Sequence, residues 1–208
     1  MPTLIAEIDV KLERADMLRR VVLPRDLDGL GNIVPPKRKP GLHLSGLLKY
    51  VATTSKITAR LQEIADEEMP LRWAMGQAWE EFAASLYPDM IWQPGEVHEP
   101  LIMNCDGVGY EPRVEDNVIW EFKFNRAKKY KGADLIAKKW LWMMQGAGYC
   151  LGYGFSVAVW HVLSAFEFPD PIYTKYVVAF SDKDLNETAR MIAMNRDDAV
   201  QEGYAEAA

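Results

Sequence analysis

Apolar residues recur along the chain at two different spacings, and the switches between them mark out helices and strands. Between about Pro70 and Leu86, the residues Leu71, Met75, Ala78, Phe82 and Leu86 return every three or four positions, which gives a helix one apolar stripe. Ahead of it, Ser45 can cap a helix beginning near Gly46, and a second helical stretch runs from about Thr54 to Glu68. From Met90 the period drops to two. Ile91–Gln93, Val97–Met103, Val108–Tyr110 and Asn117–Phe124 read as strands of an antiparallel meander, broken by turns at Pro94-Gly95 and Glu115-Asp116-Asn117. Asp134–Leu151 then reads as one long helix, and Phe155–Leu163 and Tyr173–Phe180 read as strands. Asp182 to about Val200 is a closing helix with Ser181 as its cap. Strands bracketed by helices in this order predict an α/β (α+β) fold with a central mixed β-sheet flanked by helices.

Two stretches qualify that picture. Residues 1–40 carry a short amphipathic run and then Pro24, Gly29, Gly31, Pro35, Pro36 and Pro40 around Lys37-Arg38-Lys39. Such spacing breaks regular structure repeatedly and predicts an N-terminal arm on a body formed by 41–208. Trp140–Phe166 contains no Asp, Glu, Lys or Arg and is long enough to cross a bilayer. Gln145, four glycines and the change to Val157 and Val159 instead predict a buried helix turning into a buried strand, with no membrane contact.

The chain has 208 residues, 49% hydrophobic and 26% charged, the composition of an ordinary globular protein with a sizeable core. Cys105 and Cys150 are too few for a disulfide framework, a structural zinc site or a four-thiolate cluster, which fits a reducing compartment. The N-terminal residues lack the basic and apolar regions of a secretion signal, so a cytoplasmic protein is expected. The net charge of −6 argues against nonspecific coating of nucleic acid. Its distribution adds more. Lys123, Arg126, Lys128, Lys129, Lys131, Lys138 and Lys139 stand against Asp134 alone, a net of +6 that leaves −12 on the rest of the chain. A focused basic patch on an acidic body suits a polyanion gripped in one place, although a solvated lysine-rich loop has the same composition.

Chemistry concentrates near that patch. Glu121 and Lys123 are two apart in a strand and share one side of the sheet, with Phe122 and Phe124 on the other. Asp106-Gly107 sits at a turn that leads into this strand, and Glu80 lies on a helix face beside Gly76, whose missing side chain leaves a gap. Mg²⁺ or Mn²⁺ takes oxygen ligands and keeps several waters, so a few carboxylates suffice, and a lysine can offset developing negative charge. Taken singly, Glu121 and Lys123 read better as a cross-strand or solvent-facing ion pair, and Glu80 alone reads as a surface acid. Gln145 and Tyr149, four apart, share a helix face. His43, His98 and His161 lack metal-pair spacing, and His161 reads as a core histidine. Most tryptophans read as core, with Trp140, Trp142 or Tyr130 offering a face for an unpaired base.

Taken together, Gly76-Gln77-Ala78-Trp79-Glu80, Asp106-Gly107, Glu121-Phe122-Lys123 and Gln145-x-x-x-Tyr149 resemble the PD-(D/E)xK nuclease superfamily, in its lambda exonuclease and RecB-type branch. The resemblance covers about residues 43–165. It implies a restriction-endonuclease-like core and a metal held by Asp106, Glu121 and the carbonyl of Phe122, with Glu80 holding a second metal or its water. It also implies that Lys123 assists the nucleophile. Gln145 and Tyr149 follow from their shared helix face: packed on the preceding strand, it looks toward the end that carries Glu121, where Gln145 would position Lys123 or the water and Tyr149 would contact a phosphate or base. Cys105 stands where the family name has proline, and two cysteines exclude the branch with an iron–sulfur cluster. Residues 1–40 have no counterpart, and Lys37, Arg38, Lys39 and Lys49 are candidates to hold a terminal phosphate.

The function expected on these grounds is a Mg²⁺- or Mn²⁺-dependent DNA exonuclease serving recombination, repair or phage DNA processing. Arg126, Lys128, Lys129, Lys131, Lys138 and Lys139 would hold DNA, and a homo-oligomer or phage and recombination proteins would be its partners. The alternatives are a DNA-binding or virion structural protein that keeps the fold, and a structure-specific endonuclease.

Overall fold

The alternation along residues 116–125 builds the strand around which the other elements are arranged. The computed structural model describes residues 1–11, 39–54, 69–97, 101–125, 129–165 and 171–205, with backbone alone for 69–74 and 77. In chain order the elements are β1 (Thr3–Val10), α1 (Leu44–Thr54), α2 (Met69–Leu86), β2 (Ile91–Trp92), β3 (Gly107–Glu111), β4 (Asp116–Asn125), α3 (Gly132–Lys138), α4 (Trp140–Tyr153), β5 (Val157–Ser164), β6 (Ile172–Ala179) and α5 (Asp182–Gln201). The six strands form one sheet in the order β1-β6-β5-β4-β3-β2. Only β4 and β5 run parallel, which requires the crossover that α3 and α4 supply. The other neighbours are antiparallel, so the sheet is mixed and the fold is α+β, consistent with a restriction-endonuclease-like core.

Each face of the sheet carries its own apolar layer. On one face Val118, Trp120 and Phe122 of β4 pack with Val159, Tyr173 and Val177, and Trp79 and Ala83 of α2 cover them. On the other face Ile119, Ala158, Trp160 and Tyr176 pack beneath Leu44 and Leu47 of α1, Ala147 and Tyr149 of α4, and Ile192 of α5. Glu121 and Lys123 share the parity of Ile119, so the strand puts two charged groups where its next apolar pair would fall.

The uncharged run around residue 150 resolves as expected into a helix and a strand. It turns at Gly154, whose φ of +75° ends α4 in the left-handed conformation that glycine adopts without strain. Among the described residues no helix is long and apolar enough to cross a membrane. Gly146 lets α4 sit directly on the Trp160 ring, which a side chain at that position would overlap. Gly146→Val is therefore expected to destabilise the fold by about 1–3 kcal/mol, read as a lower urea midpoint. An unchanged midpoint would mean that α4 can withdraw from β5 at no cost.

Four sequence expectations are revised. Residues 3–10, expected within an arm, are the outermost strand, paired with β6 from Thr3↔Ala179 to Val10↔Tyr173. Burial alternates along the whole strand, while a register shift between Leu4 and Ala6 sends Leu4 to one apolar layer and Ala6, Ile8 and Val10 to the other. Val97–Met103 is no strand where it is described. It makes only an isolated Val97↔Met103 bridge, with His43↔Ile102 beside it. The helix expected from Asp134 to Leu151 is broken at Lys139, whose φ of −110° and ψ of 49° separate α3 from α4. Finally, α1 starts at Leu44, whose N–H donates to the Ile102 carbonyl, ahead of the Ser45 expected to cap it. The helical stretch expected over 54–68 falls almost wholly outside the described residues.

Candidate active site

The pairing of β3 with β4 puts Gly107 opposite Trp120, so Asp106, one step before β3, comes level with Glu121. The two acids then hold each other through the main chain. The N–H of Asp106 donates to Glu121 Oε1 at 3.3 Å, and the N–H of Phe122 donates to Asp106 Oδ2 at 2.8 Å. Lys123 Nζ donates to Glu121 Oε2 at 2.7 Å, and Glu121 itself is fully buried. The strand parity read in the sequence thus brings Asp106, Glu121 and Lys123 into one constellation.

Glu80 approaches from α2, close enough that its charge is felt by Lys123 and that it feels Asp106 and Glu121 in turn. Among the described residues, a side chain at Gly76, one turn earlier, would meet nothing within 4 Å. Gln145 and Tyr149 arrive from α4, with Gln145 Nε2 donating to the Tyr149 hydroxyl at 3.0 Å. Tyr149 is buried, and burial first and the Glu121 charge second hold its hydroxyl well above the usual phenol range. The described bond of Gln145 is to Tyr149, not to Lys123.

Electrostatically the cluster is out of balance. Glu80, Asp106 and Glu121 set three carboxylates against the single ammonium of Lys123. Burial, then the neighbouring Asp106, raises Glu80 to about 8, and the same two causes raise Glu121 to about 7. Asp106 is raised by burial, against the pull of Lys123 and of the Phe122 N–H. Burial alone would lower Lys123, but Glu121, Asp106 and Glu80 together hold it above its ordinary value, so it stays charged. Among the described residues no three His, Cys, Asp or Glu side chains already converge as a finished metal cage. The donor chemistry nevertheless fits a hard divalent cation: only oxygen donors, with negative charge in excess of its local compensation.

No family model matches the chain, and no curated protein matches it significantly. The solved structures similar in backbone path include two of low identity. One is the crystal structure of SSO0001, with a TM-score of 0.47 and 13% identity over 81% of this chain and 79% of that one. The other is a phage related exonuclease from Haemophilus somnus 129PT, with a TM-score of 0.44 and 14% identity over 77% of this chain and 80% of that one. At these values neither likeness bears on chemistry, which has to be argued from the side chains.

The basic patch is less uniform than its composition. Arg126, Lys128, Lys37 and Arg38 lie outside the described residues. Lys129 is committed to Glu7 and Asp9 of β1, at 2.8 and 2.7 Å, and so ties the crossover to the sheet edge. Lys138 pairs with Asp134 at 3.3 Å, and Lys39 with Glu96 at 2.6 Å. Among the described residues Lys131 and Lys139 have no carboxylate partner, and the Lys139 ammonium sits 4.8 Å from the ring centres of both Tyr130 and Trp142.

One buried charge escaped the sequence reading. Glu111, at the end of β3, is fully buried, gripped by Lys175 at 3.1 Å and Arg113 at 3.4 Å. Its parity with Gly107 and Gly109 on an inward strand face is the signal that could have found it. His161 is a core histidine as expected, with Nδ1 bonded to the Tyr173 hydroxyl and Nε2 without a hydrogen-bond partner among the described residues. Burial first, then Lys175, keeps it neutral by lowering its pKa well below the ordinary value.

Proposed function

We propose that this chain is a metal-dependent nuclease of the PD-(D/E)xK type that hydrolyses DNA phosphodiester bonds, with end-directed digestion as its mode. The observation that carries the reading is the cross-bonded Asp106–Glu121 pair with Lys123 at hydrogen-bond distance and Glu80 beside it. A buried cluster with excess negative charge weakens a fold unless something balances it, so its presence argues for a working site rather than a structural relic.

In this reading Asp106, Glu121 and the Phe122 carbonyl would hold Mg²⁺ or Mn²⁺, with Glu80 toward a second ion or its water. The bound ion would supply an activated water and charge stabilisation at phosphorus. Lys123, kept protonated by its acidic neighbours, orients the attacking water and offsets charge on the phosphoryl oxygens. Tyr149, protonated across the physiological range and aligned by Gln145, has a hydroxyl proton to donate to a phosphate oxygen. Lys131 and Lys139 supply charge for the backbone of the strand.

Incubation of a linear, end-labelled duplex with Mg²⁺, with EDTA, and with Lys123→Ala beside wild type tests this. Cleavage should require the metal and should fall by about 10²–10³-fold in the variant, the usual cost of one transition-state charge contact. Wild-type protein that binds DNA without cutting it would overturn the catalytic reading in favour of a binding or virion protein. Closed circular DNA settles the mode, because an end-directed enzyme leaves it intact and an endonuclease does not.

A further inference from the structure

We infer that Trp142 and Tyr130, bridged by Lys139, form a stacking platform for an unpaired base, so that the strand delivered to the carboxylates is single-stranded or frayed at its end. This deepens the nuclease reading and rests on it for the identity of the polymer. The geometry comes from α4. Trp142, Gln145 and Tyr149 stand at i, i+3 and i+7 and so lie along one helix face. Tyr149 lies close enough to Glu121 to feel its charge, and Gln145 holds Tyr149. At 1.5 Å of rise per residue, Trp142 lies about 10 Å further along the same face. Because α4 links two parallel strands, it runs back against them, so that displacement is toward the C-terminal end of β4, the direction in which Lys123 follows Glu121.

Tyr130 and Trp142 meet edge to face at 6.3 Å, half-buried, and the Lys139 ammonium lies 4.8 Å from each ring centre. With no carboxylate partner among the described residues, this ammonium is held by the ring faces and is available to a phosphate. When a phosphodiester draws it away, a base can take its position against a ring. Base–aromatic stacking is indifferent to sequence because every base has a π-face. Inside an intact duplex both faces of each base are covered by its neighbours, and at a blunt end only the outer face of the terminal pair is free. A platform on the same face of α4 as Tyr149 therefore selects a strand whose base has left the stack.

The test is binding in EDTA, where cleavage is silent, using a single-stranded oligonucleotide carrying 2-aminopurine and a blunt duplex of the same sequence. Wild type should bind the single strand more tightly and quench the 2-aminopurine. Trp142→Leu and Lys139→Met, which keep apolar bulk at each position, should weaken single-strand binding roughly tenfold and lose the quench while melting near the wild-type temperature. Trp142→Phe should recover most of it. Unchanged single-strand affinity and quench in Trp142→Leu, in a protein that still cuts DNA with Mg²⁺, overturns this inference and leaves the nuclease reading intact. Trp142-dependent quenching in a protein that never cuts supports the platform and overturns the catalytic reading. Absence of both binding and cleavage overturns the two together.

Discussion

Asp106→Asn should abolish metal-dependent cleavage and leave the metal-free protein at least as stable as wild type. The substitution keeps the shape of the side chain and an oxygen to accept the Phe122 N–H, so the hairpin bond at 2.8 Å survives. What it removes is one negative charge from a site where three carboxylates face one ammonium. A metal's stabilisation of the transition state is worth several kcal/mol, and losing it lowers the rate by about 10³-fold or more. In the fold the same charge is unfavourable, since burial already holds the Asp106 carboxyl above its usual range. Rates on end-labelled duplex and melting temperatures in EDTA check both halves. A variant that loses activity and also melts several degrees lower would show that Asp106 serves the fold first.

The second expectation concerns pH. Glu80 and Glu121 titrate at about 8 and about 7 in the folded chain, above the ordinary carboxylate range near 4.3 that holds when the chain is unfolded. The folded state therefore keeps protons that the unfolded state has released. The stability this confers is fully present below the unfolded value and is lost as pH rises through about 7 and 8. His161 works in the opposite sense. Being held neutral, it weakens the fold only as pH falls below the ordinary histidine value near 6.5, so the clean window lies above that. In EDTA the melting temperature should fall between pH 6.5 and 8.5 by on the order of 3 °C per pH unit. Mg²⁺ should flatten the slope by balancing the ionised carboxylates, and Glu80→Gln should flatten it without metal. A flat profile in EDTA for wild type would mean that the acids are already compensated, and the argument for a cation would fall with it.

Much of the site was legible because its logic is local. Parity along one strand joins Glu121 to Lys123, and a single turn brings Asp106 level with them, so distance along the chain maps simply onto distance in space. Gln145 and Tyr149 were legible for the same reason, as a pair one helical turn apart. What the sequence hid is what depends on distant partners. Lys129 looked like a free cation until Glu7 and Asp9, some 120 residues away in the chain, were found against it. Glu111 drew no reading because its partner Lys175 lies on another strand, far along the chain. The break at Lys139 was masked by a helical pattern that runs through it, and β1 by the distance in the chain to its partner β6.

That first strand sets an order of assembly. Thr3 pairs with Ala179, so the edge of the sheet is closed by residues from opposite ends of the described chain, and β6 must be made before β1 has a partner. Long-range closure of this kind is slow compared with local pairing. The β3–β4 hairpin, by contrast, closes over a few residues and already holds Asp106, Glu121 and Lys123. The acid–lysine constellation can thus form early, whereas Leu4, Ile8 and Val10 wait as an unpaired apolar segment. A chain interrupted before β6 would carry that segment exposed, free to pair with another molecule's sheet.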